Sequence, residues 1–278
     1  MVMTASGSSN RSHWRSGPNR SRAVCTRAAP VSLLIRPAYG VDLPGSRSSG
    51  YSGFVVYEAP EYHPAFEEYC ETIFELAEDG LEVKQARIAD RLEVSRPAVS
   101  EMVRKMEREG LLTFADNGTL VLTDDGAALA QQVVRRHRLA ERFLTDMLEL
   151  SWAEAHHEAG KWEHIISPTV GAALVRVMGN PTTCPHGNPI PGSGYEGPTG
   201  ARSLSSLETG DQFVVQRIPE ELEFEPGLLE YLEEAGVTPG PVGVITAASP
   251  DGTATVEVDG KPFGIGPFAC ERIIVSAA

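Results

Sequence analysis

Apolar positions along the chain change period several times, and each change marks an element. From Pro64, the residues Phe66, Tyr69, Cys70, Ile73, Phe74 and Leu76-Ala77 recur at three- and four-residue spacing, the pattern of a helix with one buried face. Asp79-Gly80 closes it. A short helix is expected over Gln85–Leu92. Ser95 is a suitable N-cap for the next one, Pro97–Arg108, with Pro97 in the first turn, where a missing N–H does no harm. Val99, Met102, Val103 and Met106 form its buried stripe, and Gly110 stops it. Leu111–Phe114 and Leu120–Leu122 read as strands around Asp116-Asn117-Gly118, a hairpin signal. Helix, turn, helix and hairpin in that order predict a winged helix-turn-helix.

Beyond it, Thr123-Asp124-Asp125-Gly126 caps a long helix, Ala127–Leu150. Another runs from Trp152 to about Ser167, and a third over Pro168–Met178. Apolar residues on several faces suit a helical dimer interface. From Gly179 to Gly200 the chain is dense in Pro and Gly and reads as a linker or ordered loop. Residues 201–278 carry strand-like runs (Gln212–Ile218, Gly243–Ala247, Thr253–Val258, Arg272–Val275) and one helix, Pro226–Ala235, which predict a small β-barrel. The fold class expected is mainly α with a small β domain. Its parts are a DNA-binding domain over 54–125, a helical domain over 126–178, a Pro/Gly linker over 179–200 and a β domain over 201–278.

Composition changes this picture in three places. Residues 1–53 are rich in Ser, Arg, Gly and Pro without a sustained period, and cannot bury enough apolar surface to order themselves. They read as disordered or as an over-extended start, with a true start near Val55 or Val56. The net charge of −14 discourages nucleic-acid binding at face value. Its distribution matters more: residues 1–50 hold seven Arg and one acid, +6, leaving −20 for the rest. A local basic cluster nevertheless stands at Arg87, Arg91, Arg96, Arg104, Lys105 and Arg108. Finally, Cys25, Cys70, Cys184 and Cys270 form no Cys-x-x-Cys pair, which argues against a zinc knuckle and a disulfide-stapled domain. No apolar run approaches the ~20 residues of a membrane span. A cytoplasmic protein without a membrane partner is expected.

The recognition helix would present Ser95, Arg96, Pro97, Ala98, Ser100 and Glu101 to the major groove, with Arg104 and Arg108 nearer phosphates and Arg87 in the same basic cluster. Candidate metal chemistry lies further on. His137 and Glu141 stand at i and i+4 on one helix face. At about 100° per residue, His156, Gly160 and Glu163 fall near one line of the next helix, with His164 and His157 to one side. Glu68 and Glu71 share a face near Pro64, whereas Cys70 lies about 200° from Glu68 and reads as a core thiol. Imidazole and carboxylate at such spacing can close on a divalent transition metal. Glu67 and Glu158 read as solvated helix charges. Zincin motifs fail: His157-Glu158-Ala159-Gly160-Lys161 lacks its final His, and Gly160-Lys161-Trp162-Glu163-His164 lacks the first His of the inverted form. No enzymatic activity is expected.

The motifs Ala86-Arg87-Ile88-Ala89-Asp90-Arg91-Leu92, Val99-Ser100-Glu101-Met102-Val103, Met106-Glu107-Arg108-Glu109-Gly110-Leu111, Arg136-His137-Arg138-Leu139-Ala140-Glu141-Arg142, Trp162-Glu163-His164 and Gly187-Asn188-Pro189-Ile190-Pro191-Gly192 together resemble the diphtheria-toxin-repressor family of iron- and manganese-dependent regulators. The resemblance covers residues 62 to about 192, with a looser likeness of the C-terminal segment to the family's SH3-like domain. It implies two metal sites per subunit. One would use His137, Glu141 and His156 with an SH3-domain carboxylate, placed at Glu225. The other would use Glu163 and His164 with Glu68 and the position of Gly160. Iron-type members put Met at the Glu68 position and Cys at Gly160; manganese-type members put acids at Glu68 and Glu71 and usually Glu at Gly160. Here Gly160 offers only a backbone carbonyl, while Glu68 and Glu71 add hard oxygens that lean toward Mn(II), although Fe(II) also accepts such donors.

The function implied is a Mn(II)- or Fe(II)-activated repressor that binds double-stranded operator DNA as a homodimer. The rival is a metal-independent winged-helix regulator sensing a small molecule or peptide through its C-terminal domain.

Overall fold

The computed structural model describes residues 64–278; the expectations for residues 1–53 and for the start of the DNA-binding domain lie outside the described residues. The first helix, α1 (Pro64–Glu78), buries Phe66, Tyr69, Cys70, Ile73 and Leu76, the apolar stripe its spacing predicts. Gly80, at φ +72°, supplies the left-handed turn after it. Helices α2 (Gln85–Arg91) and α3 (Arg96–Arg108) follow, with Ser95 Oγ accepting from Ala98 N at 3.4 Å as the N-cap of α3. Strands β1 (Leu112–Phe114) and β2 (Leu120–Leu122) pair antiparallel, Leu112 opposite Leu122. One apolar core runs through all five elements and reaches Leu129 and Ala130 of the next helix.

That helix, α4 (Asp124–Leu148), is capped by Thr123 and ends at Glu149 in the left-handed region. Gly126 lies against the Leu111 carbonyl, so close that a Cβ would come within 1.9 Å of the oxygen. This contact seats α4 on the DNA-binding domain. A capping box of Ser151 and Glu154 starts α5 (Trp152–Trp162), and Ser167 caps α6 (Pro168–Val177). Helix α5 ends earlier than periodicity predicts: Glu163 is its C-cap and His164 lies in the following turn.

Of the two readings of residues 179–200, linker or ordered loop, the structure shows the ordered loop. Thr183 and Pro189 form an antiparallel bridge, and Cys184, His186, Asn188 and Ile190 are all buried. The Pro and Gly content sets the turns of an ordered loop folded into the molecule.

The C-terminal part comprises β3 (Arg202–Ser203), β4 (Gln212–Arg217), α7 (Glu220–Glu223), α8 (Leu228–Glu234), β5 (Val242–Ala248), β6 (Ala254–Val258), β7 (Lys261–Ile265), α9 (Pro267–Arg272) and β8 (Ile274–Ala277). Its six strands run in the order β3-β8-β4-β5-β6-β7, each neighbour antiparallel. This is an open sheet, not the closed barrel expected from the strand pattern. The two-residue β3 and the distal β7 form its two edges, and helical residues such as Leu229, Leu232 and Cys270 fill the core that a closing strand would cover. Trp152 of α5 enters the same core, and its backbone N–H donates to Glu233 Oε2 at 3.1 Å.

Candidate metal centre

Helix α4 sets His137 and Glu141 one turn apart on its inner face, both buried. Helix α5 crosses it and brings His156 alongside. His137 Nε2 lies 3.2 Å from Glu141 Oε1 and 3.3 Å from His156 Nδ1, and His156 Nδ1 is 3.0 Å from Glu141 Oε1. The structure thus brings together the three residues predicted for the first cluster.

The C-terminal carboxylate differs from the expectation. Glu225 is exposed and stays outside the cluster; Glu223, at the end of α7, reaches in, with Oε2 at 3.1 Å from His156 Nδ1 and 3.0 Å from His186 Nδ1. The reason is the helical phase of a four-residue element, which turns Glu220 and Glu223 to one buried face. The buried loop adds His186, 3.5 Å from Glu141 Oε1, and Cys184, whose Sγ lies 3.8 Å from His186 Nδ1. Sequence reasoning missed His186 and Cys184 because a Pro/Gly-rich stretch carries no period. Cys184-Pro185-His186, two possible donors one residue apart, was the available signal.

A second cluster joins α1 to the turn after α5. His164 Nε2 is 2.9 Å from Glu68 Oε1 and 3.2 Å from Glu163 Oε1. Glu71 completes a neighbouring group with Glu163 and His137. His137 faces both clusters, since its Nδ1 is 2.5 Å from Glu163 Oε2. Gly160 offers no side chain, and a Cβ there would meet nothing within 4 Å. Glu67 corrects the reading of it as a solvated charge: it is buried, 2.7 Å from His164 Nδ1 and 2.9 Å from Arg136 Nη2. Helix α1 turns Glu67, Glu71 and Glu75 toward α4 instead of water. Glu158, by contrast, pairs with Lys161 at the surface, and Cys70 is a buried core thiol pushed up to about 12 by burial.

The electrostatics follow from this crowding. Burial works against ionisation of Glu141, but His186 and His137 hold it well below the usual carboxylate range. Burial lowers His137 and His156, yet Glu141 and its neighbours win: His137 is raised well above its ordinary value and His156 to about 10. His164 is raised to about 9, first by Glu67 and then by Glu68. Glu71 is pushed well up by burial and by the Glu163 and Glu75 carboxylates. The carboxylate oxygens Glu71 Oε1 and Glu141 Oε2 and the imidazole nitrogen His186 Nε2 are among the buried atoms without a hydrogen-bond partner. Buried lone pairs converging from imidazole, carboxylate and thiol fit a divalent transition ion, which would also relieve the carboxylate repulsion.

The chain is similar to known proteins along most of its described length. Residues 62–120 match the family described as "Iron dependent repressor, N-terminal DNA binding domain", residues 123–192 "Iron dependent repressor, metal binding and dimerisation domain", and residues 202–277 "FeoA domain". The Mycobacterium tuberculosis protein "Iron-dependent repressor IdeR" is 43% identical over 204 residues, covering 70% of this chain and 88% of that one. The chain belongs to the iron-dependent repressor family. Within that family, the "Diphtheria toxin repressor" of Corynebacterium diphtheriae is 48% identical over 126 residues, covering 45% of this chain and 56% of its own. Among solved structures, a "Manganese-dependent transcriptional repressor complex with manganese" matches with TM-score 0.68 and 32% identity, covering 77% of this chain and all (100%) of that one. The "manganese regulator SloR" matches with TM-score 0.62 and 28% identity, over 77% of this chain and 98% of that one.

The iron-dependent repressor fold places the predicted DNA-contact residues as follows. Arg96, Pro97, Ala98, Glu101, Arg104 and Arg108 are exposed on α3, Ser95 caps it and Ser100 is half-buried. Arg87 is exposed on α2, 3.9 Å from Glu221. Arg91 of the basic cluster is withdrawn from the surface: it pairs with Glu75 at 3.5 Å and stacks 4.0 Å over the Phe224 ring. Among the described residues, no helix is long and apolar enough to cross a membrane.

Proposed function

We propose that this protein is a divalent-metal-activated transcriptional repressor, using Mn(II) or Fe(II) to fix its DNA-binding helices in a homodimer on operator DNA. One observation carries the reading: Glu68 and Glu71 of α1, in the DNA-binding domain, meet Glu163, His164 and His137 of the dimerisation segment. A cation held there ties the two domains at one relative position. His137, Glu141 and His156, with Glu223, His186 and Cys184, would hold a second ion and tie in the C-terminal domain. The ion supplies positive charge that neutralises converging carboxylates; the protein residues set its position. Only metal binding that differs between competent and incompetent conformations shifts DNA affinity.

The winged-helix arrangement would put Ser95, Arg96, Pro97, Ala98, Ser100 and Glu101 into the major groove, with Arg87, Arg104 and Arg108 toward phosphates. Exposed apolar residues Ile165, Val170 and Val177 support the homodimer. Hard oxygens from Glu68 and Glu71, with no donor side chain at Gly160, favour Mn(II) at the α1 cluster. A gel shift with operator DNA tests the proposal: retardation should need Mn(II) or Fe(II) and vanish with chelator. His164→Ala should abolish the metal-dependent shift with the fold intact. Retardation by that variant that still depends on metal would refute the mechanism.

A further inference from the structure

Glu67 sits beside the α1 cluster but does not join its ligand-facing side. Its Oε2 lies 2.7 Å from His164 Nδ1, while the opposite ring nitrogen, Nε2, faces Glu68 and Glu163. Its Oε1 accepts from Arg136 Nη2 of α4 at 2.9 Å. Glu67 is buried, and Arg136 Nε is buried as well, so this pair is not a solvated surface contact. We infer that Glu67, clamped by Arg136, is the positioning residue that fixes the tautomer and ring plane of His164 for metal binding. The inference rests on the metal-dependent reading above.

The physical argument runs through the imidazole. A neutral ring has one N–H and one lone pair. A carboxylate at Nδ1 holds the proton there and leaves the Nε2 lone pair aimed between Glu68 and Glu163. It also raises the basicity of that lone pair. Arg136 holds Glu67 Oε1 and stops its carboxylate from swinging into the cluster as a competing donor. The clamp matters more here because Gly160 contributes no side chain, leaving fewer groups to hold His164 in place. The three residues come from α1, α4 and the turn after α5, so the clamp also couples helix position to ligand geometry.

The test uses the full chain. Calorimetric titration with Mn(II) alone should show, for Glu67→Gln, one binding step weakened about 10- to 100-fold with the other unchanged. Arg136→Gln should weaken the same step. Melting of the metal-free variants shows whether each is folded. The discriminating readout is the nitrogen-15 spectrum of the histidines with Zn(II) bound: wild type should keep a protonated Nδ1 on His164, and Glu67→Ala should lose that slowly exchanging proton. Unaltered Mn(II) steps in folded Glu67→Gln, or an Nδ1 proton that persists in Glu67→Ala, would overturn the inference. A wild-type chain that takes up no Mn(II) would instead overturn the metal-dependent reading, and this inference with it.

Discussion

Replacing Arg138 by Met should unfasten the C-terminal domain from the rest of the protein. Arg138 is completely buried on α4. Its Nη2 lies 2.7 Å from Glu78 Oε2 and 3.0 Å from Glu220 Oε1, and its Nη1 donates to the Pro189 carbonyl at 2.5 Å. One guanidinium therefore joins α1, the buried loop and α7. Methionine keeps most of the length but leaves the Glu220 carboxylate buried without its cation. Breaking a buried pair from one side costs about 3–5 kcal/mol. With a slope of about 2–3 kcal/mol per molar urea, the midpoint should fall by roughly 1–2.5 M.

The loss should also depend on pH. Burial, then Glu223, raises Glu220 to about 7 against the lowering effect of Arg138. A carboxyl with a folded pKa above its unfolded value loses stabilisation as pH rises through that interval. Without Arg138 the interval extends upward, so the deficit should be larger at pH 8 than at pH 5.5. Urea titration of the metal-free protein, followed by tryptophan fluorescence, measures both effects. A loss below about 1 kcal/mol, or an equal loss at the two pH values, would refute the assignment of Arg138 as the central cation of this junction.

Four further outcomes are expected. Because His156 is raised to about 10 and His164 to about 9, both carry protons at pH 7 before metal arrives, so uptake should release protons and strengthen as pH rises toward 9; calorimetry in buffers of different ionisation heat counts them. By the same shifts, these histidines stabilise the metal-free fold fully below about pH 6.5 and lose that contribution as pH climbs through 9 to 10, which thermal melts across that range will show. Glu223→Gln should weaken one Mn(II) step by about 10-fold or more, whereas Glu225→Gln should leave both steps unchanged. Gly187→Ala should destabilise the protein by about 1–3 kcal/mol in urea and impair metal uptake, because the residue has φ +89° and a Cβ would come 2.1 Å from the Gln216 carbonyl oxygen, displacing neighbouring His186.

Local pattern was enough for the helices of the DNA-binding domain, but not for α7 and α9 of the C-terminal part. The stripe Phe66, Tyr69, Cys70, Ile73 and Leu76, the Ser95 cap and the Asn117-Gly118 turn act within a few residues, and each appears where its chemistry predicts. The pairing of His137 with Glu141 was legible for the same reason, since one helical turn dictates it. Bringing His156 to that pair required the packing of α5 on α4, which no spacing encodes. The choice of Glu223 over Glu225 depended on two residues of phase in a single-turn helix. The burial of His186 and Cys184 depended on a loop without period, and that of Glu67 on a facing arginine 69 residues away in sequence. The sheet stays open because a two-residue edge and packed helices leave no strand to close it. Short-range periodicity thus determined the elements of the DNA-binding domain and the first pair of ligands. Long-range packing decided which charges are buried together, because the cost of burying a charge is set by neighbours that the chain reaches only when folded.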